Sequence, residues 1–174
     1  LAGADITCTD SAAIYSKNAD KVFLTLADGT ENTLINGGSY ADIDENNIDS
    51  VVFSKTDLTL NGSGSLTIDA QAGHGVVSKD ELTITGGSYT VTAAGHGMAG
   101  KDSLAVAGGT FTITSGKDGL HAENADDSSL GFLYVADGEF TVASQGDAVS
   151  ASGALQADGG TFDLTTGEGS ASVT

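Results

Sequence analysis

An all-β fold, a parallel β-helix (solenoid) of about 22 residues per coil with three short strands in each, is predicted by three features of this 174-residue chain. First, the residue that opens a Thr-rich segment recurs at Leu66, Tyr89, Phe111, Phe140 and Phe162, at intervals of 23, 22, 29 and 22 residues. Periods of that length mark architectures in which each repeat stacks on its neighbours. Second, the segments alternate apolar and polar residues at period two, and none has helical spacing. Third, 25 glycines and no proline suit a chain that turns sharply at many points yet keeps its N–H groups for ladder hydrogen bonds.

The elements follow in chain order. Leu1-Ala2-Gly3 leads straight into the strand-like Ala4-Asp5-Ile6-Thr7-Cys8. A β-helix that begins in mid-coil exposes an apolar end, so an N-terminal part of the first coil is expected to be missing. The coil from Val76 serves as a ruler. In Val76-Val77-Ser78-Lys79, Val76 and Ser78 point inward, because strand side chains change face at every residue. Leu82 and Ile84 point inward from the next strand, Gly86-Gly87 turns the chain, and Tyr89 and Val91 face inward from the third. Ala94-Gly95-His96-Gly97 then turns into the following coil.

Stacking the coils gives inner rows. Val52, Val76, Met98, Leu120 and Val149 form one, and Leu58, Leu82, Leu104, Leu133 and Leu155 another. The recurring aromatic residues form a third, an internal stack of rings about 4.8 Å apart. Two acidic insertions break the period, and loops that leave a regular coil are where solenoids carry function. The first includes Asp42 to Asp49, and the second is Asp126-Asp127-Ser128-Ser129-Leu130-Gly131. A single domain over residues 1–165 is expected, with 166–174 as a flexible tail or linker.

Composition excludes several classes of function. The formal net charge is −18, from 24 acidic residues against 6 lysines, which rules out a nucleic-acid partner because phosphate neutralisation needs clustered positive charge. Divalent cations are the natural partners of such a chain. Cys8 stands alone, so no intrachain disulfide is expected. No stretch approaches the roughly 20 apolar residues of a membrane span, and no membrane insertion is expected.

Four polar patterns are candidate sites. Lys17, Lys55, Lys79 and Lys101 occupy equivalent outward positions, and like charges at ladder distance repel. Either the adjacent Asp57, Asp80, Glu81 and Asp102 neutralise them, or the stripe receives an anionic ligand. A second column, His74, His96, Asp118 and Asp147, sits at the turn before the first strand and offers either solvated turns or the edge of a metal site. His121 falls outside that column and is given no role. Asp42, Asp44, Glu45 and Asp49, with Asp126 and Asp127, are candidate Ca²⁺ ligands, since calcium takes six to eight oxygens from carboxylates, carbonyls and water. Outward Thr-x-Thr units, Thr90-Val91-Thr92 and Thr112-Ile113-Thr114, make an array of the kind used by ice-binding solenoids, but β-branched residues also fill exposed strand positions by default.

Several phrases carry a family resemblance. Ala13-Ile14-Tyr15-Ser16-Lys17, Leu24-Thr25-Leu26-Ala27-Asp28-Gly29-Thr30-Glu31-Asn32, Phe53-Ser54-Lys55-Thr56-Asp57-Leu58-Thr59-Leu60-Asn61-Gly62-Ser63-Gly64 and Asp118-Gly119-Leu120 occur in an order that resembles the clostridial carbohydrate-binding β-helix family. The resemblance implies a right-handed parallel β-helix similar to polysaccharide lyases, secreted or surface-attached, calcium-holding, and non-catalytic. It implies a polysaccharide partner, acidic polyuronate or cellulose, and a place beside other domains of a larger surface protein. The sequence departs from the family where His74 and His96 stand for the second Asp of the turn, which only Lys117-Asp118-Gly119-Leu120 keeps. A rigid stalk or adhesin segment is the alternative reading. A uronide lyase is disfavoured, because related lyases commonly use an arginine base and this chain has no arginine.

Overall fold

A computed structural model describes residues 1–41 and 45–167. Asp42 and Asp44, and residues 168–174 of the expected tail, lie outside the described residues. The strands are β1 (Asp5–Cys8), β2 (Ile14–Ser16), β3 (Lys21–Leu26), β4 (Glu31–Asn36), β5 (Ser50–Ser54), β6 (Asp57–Gly62), β7 (Ser65–Ala70), β8 (His74–Ser78), β9 (Glu81–Ile84) and β10 (Ser88–Ala93). They continue as β11 (Met98–Gly100), β12 (Ser103–Val106), β13 (Thr110–Ser115), β14 (Leu120–Ala122), β15 (Phe132–Val135), β16 (Glu139–Ser144), β17 (Val149–Ala151), β18 (Leu155–Ala157) and β19 (Thr161–Thr166). Every third strand is a neighbour. Sheet 1 runs β1-β4-β7-β10-β13-β16-β19, sheet 2 runs β2-β5-β8-β11-β14-β17, and sheet 3 runs β3-β6-β9-β12-β15-β18. All pairings are parallel, which makes the molecule a parallel β-helix.

The three inner rows fall in the expected register. Val52, Val76, Met98, Leu120 and Val149 pair in sheet 2, and Leu58, Leu82, Leu104, Leu133 and Leu155 pair in sheet 3. In sheet 1 the rings of Tyr89, Phe111, Phe140 and Phe162 stack at 5.3, 4.8 and 4.8 Å. In the last described coil Leu155 is 53% and Phe162 37% exposed.

Two polar devices complete the core. Asn32 takes the ring-row position one coil before Leu66 and is buried. Its Oδ1 accepts from the N–H groups of Gly3 and Ala4, and its Nδ2 donates to the Ser65 carbonyl. The second device is a glycine column at the turn into sheet 2. A Cβ on Gly97 would stand 2.6 Å from the Gly119 carbonyl oxygen and 2.5 Å from Ile113 Cγ2, so only glycine lets the coils approach there.

The described parts of both insertions lie over the outer face of sheet 2. Ile48 and Tyr40 of the first pack on Phe53 and Val77, outward residues of β5 and β8, which are thereby buried. The second joins β14 to β15. Sheet 1, by contrast, leaves its outward row Thr67, Thr90, Thr112 and Thr141 exposed.

Candidate functional site

Between the two insertions a cleft of about 260 Å³ opens on sheet 2. Its floor is the outward row Val77, Ala99 and His121 of β8, β11 and β14. His74 and His96 line it from the turn before these strands, and Lys79 and Lys101 line it just beyond their ends. Asp49 from the first insertion and Glu123 and Asp126 from around the second close it.

The turn column is a hydrogen-bonded ladder. The His96 N–H donates to His74 Nδ1 at 2.8 Å, the Asp118 N–H to His96 Nδ1 at 3.2 Å, and the Asp147 N–H to Asp118 Oδ1 at 2.8 Å. An imidazole Nδ1 in two coils therefore does the work that the Asp118 carboxylate oxygen does in the next. Because Nδ1 is the acceptor, the neutral rings carry their hydrogen on Nε2. Burial, reinforced by nearby cationic and imidazole groups, lowers the pKa of both His74 and His96 from 6.5 to about 4. Both are thus neutral near pH 7.

His121, read from the sequence as outside the site, is drawn into it. Its ring stacks on His96 at 4.0 Å, while His96 stacks on His74 at 4.9 Å. Asp118 Oδ2 lies 2.7 Å from His121 Nδ1, and Glu123 Oε2 lies 3.3 Å from its Nε2. The signal was its position 22 residues after Ala99, in the outward row of the same sheet.

The lysines divide. All four follow equivalent residues, as the hydrogen bonds from the Lys55, Lys79 and Lys101 N–H groups to Ser16, Ser54 and Ser78 show. Only Lys79 and Lys101 line the cleft. Lys101 pairs with Asp126 at 2.7 Å, which holds its pKa up. The Lys79 ammonium stands 5.3 Å from the Phe53 ring centroid and makes no ion pair among the described residues. The sequence neighbours act on Lys101 through the charges of Asp102 and Asp80, while their direct pairings are elsewhere: Asp57 pairs with Lys21, and Asp80 hydrogen-bonds Asp102, which pushes Asp80 up to about 6.

The expected calcium ligands do not converge among the described residues. Glu45 is exposed, and Asp127 accepts from the Ser129 N–H and hydroxyl. Asp126 is committed to Lys101. Asp49 Oδ2 lies 3.6 Å from His74 Nε2 while its Oδ1 has no hydrogen-bond partner, and burial raises its pKa. His96, Asp118 and His121 do bring one ligand atom each within 4.8 Å of the others. Their donor set is nitrogen-rich, whereas calcium takes oxygen. Rings stacked within 17° of parallel at 4.0 Å also cannot both aim in-plane lone pairs at one ion, and His96 Nδ1 already accepts a backbone N–H. The described residues therefore do not form a ready-made calcium chelate.

Comparison with known proteins agrees with this architecture. A protein of Acetivibrio thermocellus described as a carbohydrate-binding domain-containing protein is 41% identical over 95 residues, covering 53% of this chain and 33% of the relative. The chain thus spans about a third of the length of that curated relative. A solved structure of a polysaccharide lyase-like protein from C. thermocellum, a gadolinium derivative, superposes with a TM-score of 0.83 at 33% identity, over 97% of this chain and 71% of that one. The profile of the family described as carbohydrate-binding domain-containing protein matches residues 1–174, and the chain belongs to that family.

Proposed function

We propose that the chain is a non-catalytic module of a secreted or cell-surface protein that binds acidic plant polysaccharide through the cleft on sheet 2. The observation that carries this reading is the placement of Lys79 and Lys101, with the Nε2–H edges of His74 and His96, around one cleft of a protein whose net charge is −18. Such a chain repels a polyuronate at long range, and that repulsion is screened beyond about 8 Å at physiological salt. Inside that distance the local donors decide. Lys79 feels the Asp49 charge but makes no close ion pair among the described residues, and is the cleft lysine most available to a uronate carboxylate.

Catalysis fits the site poorly. β-Elimination needs a base for the proton α to the carboxylate. Lys101, held protonated by Asp126, is pushed in the wrong direction for that task. Calcium takes a secondary place in this reading, as an ion shared between the exposed carboxylates of the rim and those of the glycan.

Affinity electrophoresis in polygalacturonate tests the reading. Lys79→Ala together with Lys101→Ala is expected to weaken retention about tenfold or more, the equivalent of ~1.4 kcal/mol. EDTA is expected to weaken it less, and no unsaturated product absorbing in the near ultraviolet should accumulate. Retention unchanged by the double substitution would remove the cleft from the function.

A further inference from the structure

The outer face of sheet 3 is built differently from the cleft. Its central outward row runs Phe23, Thr59, Thr83, Ala105 and Tyr134 across β3, β6, β9, β12 and β15. Small side chains thus separate two aromatic residues placed four strands apart, about 19 Å at the usual strand spacing. Phe132 stands two residues before Tyr134 and faces the same way. Phe23 is 63% and Phe132 39% exposed and Tyr134 is half-buried beside them, whereas the remaining aromatics are committed to the ring stack or packed at the first insertion.

One of these aromatics is held in place. The Tyr134 hydroxyl donates to Asp158 Oδ2 at 2.9 Å, and Gln156 Nε2 donates to Asp158 Oδ1 at 2.8 Å. This bracket spans the adjacent strand and fixes the ring against the sheet before any ligand arrives. Preorganisation of that kind lowers the cost of binding.

Charge selects the occupant. The face carries Asp57, Glu81 and Asp158, while its one cation among the described residues, Lys21, is engaged by Asp57 at 3.7 Å and lies 5.9 Å from the Phe23 ring centroid. A uronate would meet unneutralised carboxylates here. A neutral sugar offers C–H faces that pack on aromatic rings and hydroxyls that donate to carboxylate and threonine oxygens.

We infer that sheet 3 is a second glycan-binding face, distinct from the cleft, on which an uncharged linear polysaccharide lies along the solenoid axis from Phe23 to Phe132 and Tyr134. This rests on the carbohydrate-binding reading above but uses other residues and another class of sugar. The aromatic side chains are the stacking platforms, and Asp158 and Gln156 are positioning residues.

The test uses the intact chain with two probes, a neutral β-glucan and polygalacturonate, in parallel affinity gels. Phe23→Ala with Tyr134→Ala is expected to weaken β-glucan retention about tenfold and leave polygalacturonate retention unchanged. Lys79→Ala with Lys101→Ala is expected to do the reverse. Tyr134→Phe, which keeps the ring and frees it from Asp158, should give a smaller loss that Gln156→Ala reproduces. Circular dichroism melts confirm that the exposed substitutions leave the fold intact. β-Glucan retention that is absent in the parent protein, or unchanged by the aromatic substitutions, overturns the second face and leaves the cleft reading standing. Polygalacturonate retention that is absent in the parent protein, or unchanged by the lysine substitutions, overturns the cleft reading and leaves the second face standing.

Discussion

Phe111→Ala is expected to destabilise the protein by about 3–5 kcal/mol, the range for deleting a fully buried ring. Phe111 is 1% exposed and lies between Tyr89 at 5.3 Å and Phe140 at 4.8 Å. Removing it leaves a gap bounded by two rings that their own strands hold at ladder spacing, so neighbouring coils cannot close in to fill it. Phe162→Ala should cost distinctly less, because that ring has one stacking neighbour among the described residues and is 37% exposed. Thr112→Ala, one residue along and outward, should stay within about 0.5 kcal/mol of the parent. Urea unfolding of the three variants measures the order. Equal losses at Phe111 and Phe162 would contradict a core whose cohesion is shared between stacked coils.

That prediction draws on what the sequence made legible. Inward rows repeat the same residue type at the same register, and a period of 22 with alternation inside it is enough to align Val76 with Met98 or Leu82 with Leu104. Asn32 broke that type rule. Its burial is compensated by hydrogen bonds to Gly3, Ala4 and Ser65, segments 28 to 33 residues away that only coil stacking brings together. The lysine stripe failed in its partners for a related reason. Lys101 and Asp102 lie in the bend between β11 and β12, where Asp102 turns to Asp80 of the coil before and Lys101 is met by Asp126 from an insertion one coil later. The cleft itself was half visible: the histidine column and two of its lysines were marked, while His121 entered through Asp118 and the stack on His96. The aromatic strip of sheet 3 was hidden because Phe23 and Tyr134 belong to different phrases of the repeat and meet only in one outward row.

The histidine ladder should make folding sensitive to acid. In the unfolded chain His74 and His96 titrate near 6.5, and in the fold near 4. Between those values the unfolded state binds more protons than the folded state, so stability rises with pH. The full contribution is present above about pH 6.5 and is lost as pH falls toward 4, where the loss levels off. At about 1.4 kcal/mol per pKa unit, a single ring should cost on the order of 3 kcal/mol on full acidification, and the two together less than twice that because they are coupled. Asp80, raised to about 6 chiefly by its hydrogen bond with Asp102, acts with the opposite sign and gains stability as pH falls below 6. It is open to solvent, where screening keeps such effects small. Asp49, raised by burial, also acts in that opposing direction. Changing both His74 and His96 to Asn separates these contributions, since an amide oxygen can still accept the N–H of the next coil but does not titrate. Urea midpoints of the parent protein should fall between pH 7 and 4.5, and those of the double variant should fall much less. The difference between the two curves isolates the imidazoles, and parallel curves would mean that the ladder does not set the acid limit of the fold.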